Sequence, residues 1–189
     1  MWSRVVPNAE CRSSQSSGPR SSTCQSSTLS PRSSKCSKST QFQELYNFRE
    51  IQDTQIVNAN GSDKWFPADL VDGRNVLCGN SNVYWKTWTT DDDFLYIFGI
   101  QGEESFLYIS ADEEKGKLKL RTGSDPSQPE GISQGDKRIL RTETFIAGSY
   151  TFKVEGGGYF VFYHENGTSS PLVLDKPATD NIPTNWQMI

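Results

Sequence analysis

The chain has 189 residues, which suits one domain with an appendage and is long enough to bury a core. Its net charge of −4 is unevenly spread: residues 1–40 hold six Lys or Arg against the single acid Glu10, leaving 13 basic and 22 acidic residues in the remainder. Phosphate backbones are bound by Lys and Arg that displace counterions, so this acidic remainder excludes nucleic acid and heparin as expected partners.

Residues 1–10 lack the apolar run of about 7–15 residues that a secretory signal needs. No stretch reaches the roughly 20 apolar residues of a membrane span, so membrane insertion is not expected. Residues 1–41 are low complexity, with pairs such as Ser13-Ser14, Ser21-Ser22 and Ser33-Ser34 among Pro, Arg and Gln. Such a segment has almost nothing apolar to bury, and it is read as a disordered, basic tail or pro-segment. Cys11, Cys24 and Cys36 lie in it without C-x-x-C spacing, so no metal is assigned to them. Cys78 alone lies beyond, and one cysteine makes no disulfide within the domain. The core alone must hold it, as suits synthesis in the reducing cytosol.

The domain is placed at residues 42–189, where Phe42, Leu45, Tyr46 and Phe48 begin to supply apolar surface. Strand-like segments follow at 94–100, 106–109, 118–120 and 159–163, rich in aromatic and β-branched residues. Asn60-Gly61, Lys115-Gly116 and Glu165-Asn166-Gly167 are turn signals, because Asn and Gly accept positive φ. Without a long helical period, short strands at such spacing predict an all-β sandwich or barrel.

An internal repeat selects between them. Phe106 precedes Leu118 and Leu120 by 12 and 14 residues, and Phe160 precedes Leu172 and Leu174 by the same intervals. A weaker third copy is Ile56 with Ala68 and Leu70. Three hairpins that cannot bury their apolar faces singly must close on one another. The expectation is a β-trefoil of about 12 strands with pseudo-threefold hairpin repeats, its buried set including Phe106, Leu118, Leu120, Phe160, Leu172 and Leu174.

Several residues admit a functional and a structural reading. His164 is the single histidine, and no motif sets Ser, Cys or Asp beside it, so a surface role is expected. Asp91-Asp92-Asp93 lacks the interleaved glycine of a calcium loop and reads as a solvated turn. Gly156-Gly-Gly158 is not followed by a helix that would cradle phosphate, and reads as a tight strand entry. Asn60 and Asn166 open glycosylation sequons, read as unmodified turns when no signal peptide is present. Trp65, Trp85 and Trp88 are either core residues or interface anchors. No catalytic set, metal site or cofactor motif is found, so an enzyme is not expected.

The segments Ile97-Phe-Gly-Ile-Gln-Gly102, Phe106-Leu-Tyr-Ile109, Leu118-Lys-Leu120, Asp136-Lys-Arg138, Gly158-Tyr-Phe-Val161, Pro171-Leu-Val-Leu174 and Asn185-Trp-Gln-Met188 stand in a fixed order. With Ile51-Gln-Asp53 ahead of them, they resemble the interleukin-1 family of cytokines over residues 45–189, nearest to its interleukin-36 and receptor-antagonist-like members. Phe152-Lys-Val154 departs from that family's Phe-Glu-Ser, and Tyr159 comes one residue early.

The resemblance implies a monomeric ligand, made in the cytoplasm and secreted by an unconventional route. Its partners would be cell-surface interleukin-1-receptor-like proteins with immunoglobulin-like ectodomains, and its output inflammatory or immune signalling. Antagonism of such a receptor is the alternative within the family. It implies a receptor-binding surface of Trp85, Lys86, Trp88, Asp91, Asp92, Asp93 and Lys176. It also implies processing near Gln41 and Phe42, about nine residues ahead of the Ile51–Asp53 motif. Outside the family, the alternatives are a β-trefoil lectin, whose repeated Gln-x-Trp cores are lacking, or an inhibitor-type module.

Overall fold

The segment Lys-Leu-Lys-Leu-Arg-Thr at 117–122 alternates in sequence and in burial: Leu118 and Leu120 are fully buried while Arg121 and Thr122 face water. The same period-2 logic repeats along the chain. The computed structural model describes residues 44–61, 64–67, 69–146, 148–164 and 169–189. The tail, with Gln41 and Phe42, and the sequon residue Asn166 lie outside the described residues. The chain divides into residues 1–40 and a compact unit, Gln41–Ile189.

Twelve strands carry that unit. Six form a barrel: β1 (Ile56–Asn58), β4 (Lys86–Thr89), β5 (Leu95–Gln101), β8 (Leu140–Ile146), β9 (Ser149–Val154) and β12 (Trp186–Met188). The other six form three hairpins: β2 (Lys64–Pro67) with β3 (Val76–Gly79), β6 (Phe106–Asp112) with β7 (Lys117–Thr122), and β10 (Phe160–Phe162) with β11 (Val173–Asp175). Short pairings add Leu45–Tyr46 on Ile132–Ser133, Arg49–Glu50 on β4, and Ser169–Pro171 on β3. The single 3-10 turn among the described residues is Glu113–Lys115.

Barrel neighbours are antiparallel throughout. β1 pairs β12, β12 pairs β9, β9 pairs β8, β8 pairs β5 and β5 pairs β4. The circle closes where Thr54 and Trp85 exchange backbone hydrogen bonds of 2.9 and 2.8 Å. First and last strands are also laced beyond their ends: Gln55 N donates to Ile189 O at 2.7 Å, and Ile189 N to Gln55 O at 3.0 Å.

The hairpins cap one end. Leu118 N donates to Leu172 O at 3.4 Å, Leu172 N to Val76 O at 3.0 Å, and Leu120 N to Arg74 O at 2.8 Å, so each hairpin is tied to another. Cross-strand partners identify the repeat: Trp65 faces Cys78, Ile109 faces Leu120 and Val161 faces Leu174. All six are buried, as are Val76, Leu118 and Leu172. The architecture is all-β and β-trefoil-like.

Two details of the expected repeat are corrected. Phe106 and Phe160 are half-buried on the outer side of their hairpins, and Ile109 and Val161 take the inner positions. The copy of Ile56 with Ala68 and Leu70 is not a hairpin. Ile56 is a barrel residue opposite Met188, Leu70 sits half-buried in a loop, and Ala68 lies outside the described residues. The third copy is Trp65 with Val76 and Cys78, at the same 11 and 13 spacing as Val161 with Leu172 and Leu174.

The core has two parts. Inside barrel and cap, Trp65 packs against Phe98, Phe152 and Trp186 with ring centroids 6.0, 5.4 and 5.0 Å away. Outside the barrel, Phe48, Trp88, Leu95, Ile97, Tyr108, Ile132 and Ile139 form a second buried cluster. This lateral layer exists because residues 44–48 and the long connection 123–139 lie over the outer face of β4, β5 and β6. Each such side chain contributes about 1.5–3 kcal/mol on full burial.

A candidate binding surface at the turning end of the barrel

β4 and β5 meet in the turn Thr90–Phe94, at the end of the barrel away from the hairpins. Asp93 N donates to Thr90 O at 3.0 Å, and Phe94 N to Asp92 Oδ1 at 3.3 Å. Asp93 takes φ 55°, a left-handed conformation that Asp tolerates better than most residues. The Thr90 hydroxyl also donates to Asp92 and, with Phe94 N, holds that carboxyl below its ordinary range against the opposing effect of burial.

Arg49 fixes the outer two acids: its Nη2 reaches Asp93 Oδ1 at 3.0 Å and its Nε approaches Asp91 Oδ1 at 3.6 Å. The Asp91 side chain is nonetheless 99% exposed, and Phe94 beside it 54%. The result is a negative, partly aromatic surface whose backbone is already set. A groove of about 340 Å³ runs along it, lined by Leu45, Asn47, Asp91, Asp92 and Arg141 among others.

Arg141, in the wall of that groove, belongs to an ion pair that the sequence does not announce. Arg141 donates from Nε and Nη2 to the two oxygens of Glu155, at 2.6 and 3.1 Å. The Tyr46 hydroxyl adds a third contact to Glu155 at 3.2 Å. The Arg141 hydrogen bonds come first in holding the Glu155 carboxyl below its usual range. Burial, then the Glu155 charge, pushes the Tyr46 phenol up. On the lateral layer, burial raises Asp136, but hydrogen bonds from the Arg138 side chain and backbone N–H, together with the Arg138 charge, outweigh it and leave the carboxyl below its ordinary value. The Arg138 guanidinium also lies 4.9 Å from the Tyr108 ring.

The structure separates the expected receptor residues. Trp85 and Trp88 are 0% and 1% exposed, so their reading as interface anchors is corrected to core. Three apart on a strand, they point to opposite faces: Trp85 into the barrel, Trp88 into the lateral layer, where its indole N–H donates to Ser127 Oγ at 2.9 Å. Lys86 pairs with Glu50 at 2.9 Å and lies 5.5 Å from the Trp88 ring. Asp91, Asp92 and Asp93 are together and exposed. Lys176 is exposed too, but it follows the capping hairpin β10–β11 and stands over the Tyr159 ring at 5.3 Å. A seven-residue barrel strand, about 20 Å long, separates the hairpin end from the turning end, so Lys176 does not join the acidic turn in one patch.

Of the other candidates, Ile51 is half-buried, its N–H donating to Thr87 O at 2.9 Å, and Asp53 is exposed. Asn60 is exposed in the turn after β1, its N–H donating to Asn58 Oδ1 at 2.9 Å. His164 is exposed and stacks on Phe162 at 6.0 Å. Gly156 has φ 74° in the turn after β9, which explains glycine there. Among the described residues no group of three His, Cys, Asp or Glu is placed to hold a metal ion, and no helix is long and apolar enough to cross a membrane.

No protein-family model matches the chain, and neither does any curated protein. Solved structures do. The chain is similar to a mosquitocidal holotoxin, with a TM-score of 0.57 and 14% identity over 73% of this chain. It spans 17% of that toxin's length. It is also similar to a designed 3-fold symmetric protein, ThreeFoil, with a TM-score of 0.53 and 12% identity over 72% of this chain and 97% of that one. At such identities the likeness concerns the fold, and it agrees with the threefold arrangement of hairpins.

Proposed function

We propose that the domain is an extracellular protein ligand of the interleukin-1 kind that docks its turning-end surface on immunoglobulin-like receptor ectodomains as a monomer. The observation that carries this reading is the Asp91–Asp93 turn, exposed yet held by Arg49 and flanked by Phe94. A surface ordered before contact avoids the ordering cost of association. Exposed acids speed encounter with a basic partner more than they tighten the complex. Whether docking triggers signalling or blocks it depends on recruitment of a second receptor chain.

The test is association of the full-length chain with a panel of such ectodomains, at low and high salt. Asp91→Ser combined with Asp93→Asn keeps a residue that tolerates the left-handed turn. The expected result is slower association at low salt, with the difference closing at high salt. The reading is sunk if no ectodomain binds, or if the double variant leaves both the rate and its salt dependence unchanged.

A second reading, a lectin-type trefoil module, draws on Tyr84. This aromatic is 58% exposed, two residues from Asn82, which accepts from Lys64 Nζ. An open ring suits stacking against a sugar. Binding to a glycan array that Tyr84→Ala abolishes would favour it over the receptor reading.

A further inference from the structure

A second surface lies away from the turning end, where β5 passes into the hairpin β6–β7. There the loop 69–73 meets the turn 102–105, and between them is a groove of about 210 Å³, more enclosed than the one at the acidic turn. Its apolar lining is Leu70, Val71 and Leu107. Leu107 is 1% exposed and forms the floor, whereas Val71 is 49% exposed at the lip. The rim carries Asp72, Glu103 and Glu104.

The walls are set by backbone contacts. Gly102 N donates to Ser105 O at 3.0 Å, and a Cβ on Gly102 would stand 2.8 Å from each of the Leu107 Cδ1, Leu70 O and Ser105 O atoms. Asp72 is committed inward, accepting from Thr122 N at 3.0 Å and facing Arg121 at 3.6 Å. Nearby Asp69 is paired with Arg74 at 3.3 Å. Glu103 and Glu104 have no hydrogen-bond or ion-pair partner among the described residues. Two uncompensated carboxylates therefore stand over an apolar floor.

The size narrows the occupant. Pockets that hold a whole small ligand run from about 300 Å³ upward, so this one suits a single side chain. Its polarity selects which one: Lys and Arg lay an apolar stem along apolar surface and keep a cationic head in polar surroundings. We propose that the groove is a docking site for a basic peptide segment of a partner protein. One Lys or Arg of that segment seats its stem on Leu70, Val71 and Leu107 and its head between Glu103 and Glu104. This site is independent of the acidic turn, and either can fail its test without the other.

The probe is fluorescein-labelled hexalysine, titrated into the full-length chain at low salt. The expected result is saturable one-site binding, with methyl NMR shifts at Leu70, Val71 and Leu107. Glu103→Gln with Glu104→Gln weakens it about five- to tenfold, as two partly exposed ion pairs would. Glu114→Gln with Glu130→Gln removes the same charge from other exposed positions and leaves affinity unchanged. Equal weakening by both pairs would reduce the attraction to diffuse charge and overturn the proposal. So would methyl signals at the groove that stay still, or hexalysine failing to bind at all. Melting of each variant guards against a loss of fold being read as a loss of site.

Discussion

The Arg141 guanidinium grips both carboxylate oxygens of Glu155, at 2.6 and 3.1 Å, and so joins the start of β8 to the end of β9 beneath the N-terminal segment. The Glu155 side chain is 8% exposed and that of Arg141 36%. Removing the acid leaves a cation that water can still reach in part. Glu155→Gln is expected to cost about 1–2 kcal/mol, below the figure for a fully buried pair. The sign with pH follows from the depressed carboxyl. Its contribution is fully present above the usual carboxylate range and is lost as pH falls through the lowered value. Denaturant unfolding of the wild type and Glu155→Gln should therefore differ at neutral pH and converge in acid.

The three hairpins make a second prediction. Leu118 and Leu172 are fully buried at equivalent positions of two repeats and are hydrogen-bonded to each other through the backbone. Each truncation to Ala should cost about 2–5 kcal/mol, and the two costs should not add, because the sites touch. Phe160→Ala, at a half-buried position, should cost clearly less than either. Chemical denaturation of the three single variants and the Leu double variant decides it.

Trp88 is expected to act through stability alone. Trp88→Ala should cost about 3–5 kcal/mol, while Ser127→Ala, which removes the indole N–H's partner at a position that water reaches, should cost about 0.5–1.5 kcal/mol. Neither change should alter association with a partner once the comparison is made well below the melting temperature. A binding defect in folded Ser127→Ala protein would count against this assignment.

Gly99 gives a fourth. A Cβ there would stand 2.3 Å from Phe106 Cε1 and 3.1 Å from both Trp88 Cζ3 and Tyr108 Cδ1. Gly99→Ala must push the half-buried Phe106 outward, and overpacking of this kind costs about 1–3 kcal/mol. Pairing it with Phe106→Leu should recover part of that loss in a thermal melt.

Leu118, Leu120, Leu172 and Leu174 were legible because alternation in a hairpin depends on the chain's own neighbours. Phe106 and Phe160 misled because the rings of these strands, Phe106 with Tyr108 and Phe160 with Phe162, share the face opposite Ile109 and Val161, and the loops of the repeats differ in length by two residues. Trp65, Val76 and Cys78 were hidden by unlike side chains, although their spacing matches Val161, Leu172 and Leu174. Burial of Trp88 depends on residues 44–48 and 123–139 folding over it, a long-range event without local signature. The clustering of Asp91, Asp92 and Asp93 was plain in the sequence. Their clamp by Arg49, more than forty residues away, and the Glu103–Glu104 groove needed the fold.

The lacing of Gln55 to Ile189 has a consequence for how the chain could be ordered. Because β1 and β12 are neighbours in the barrel, the circle of strands carries no intrinsic first member. A permuted gene that links residue 189 to the strand segment ahead of Thr54, and opens instead at the exposed Gly148 between β8 and β9, would keep every barrel ladder. What such a protein would change is which hairpins are close along the chain, so its refolding rate rather than its native contacts would report which repeat normally leads.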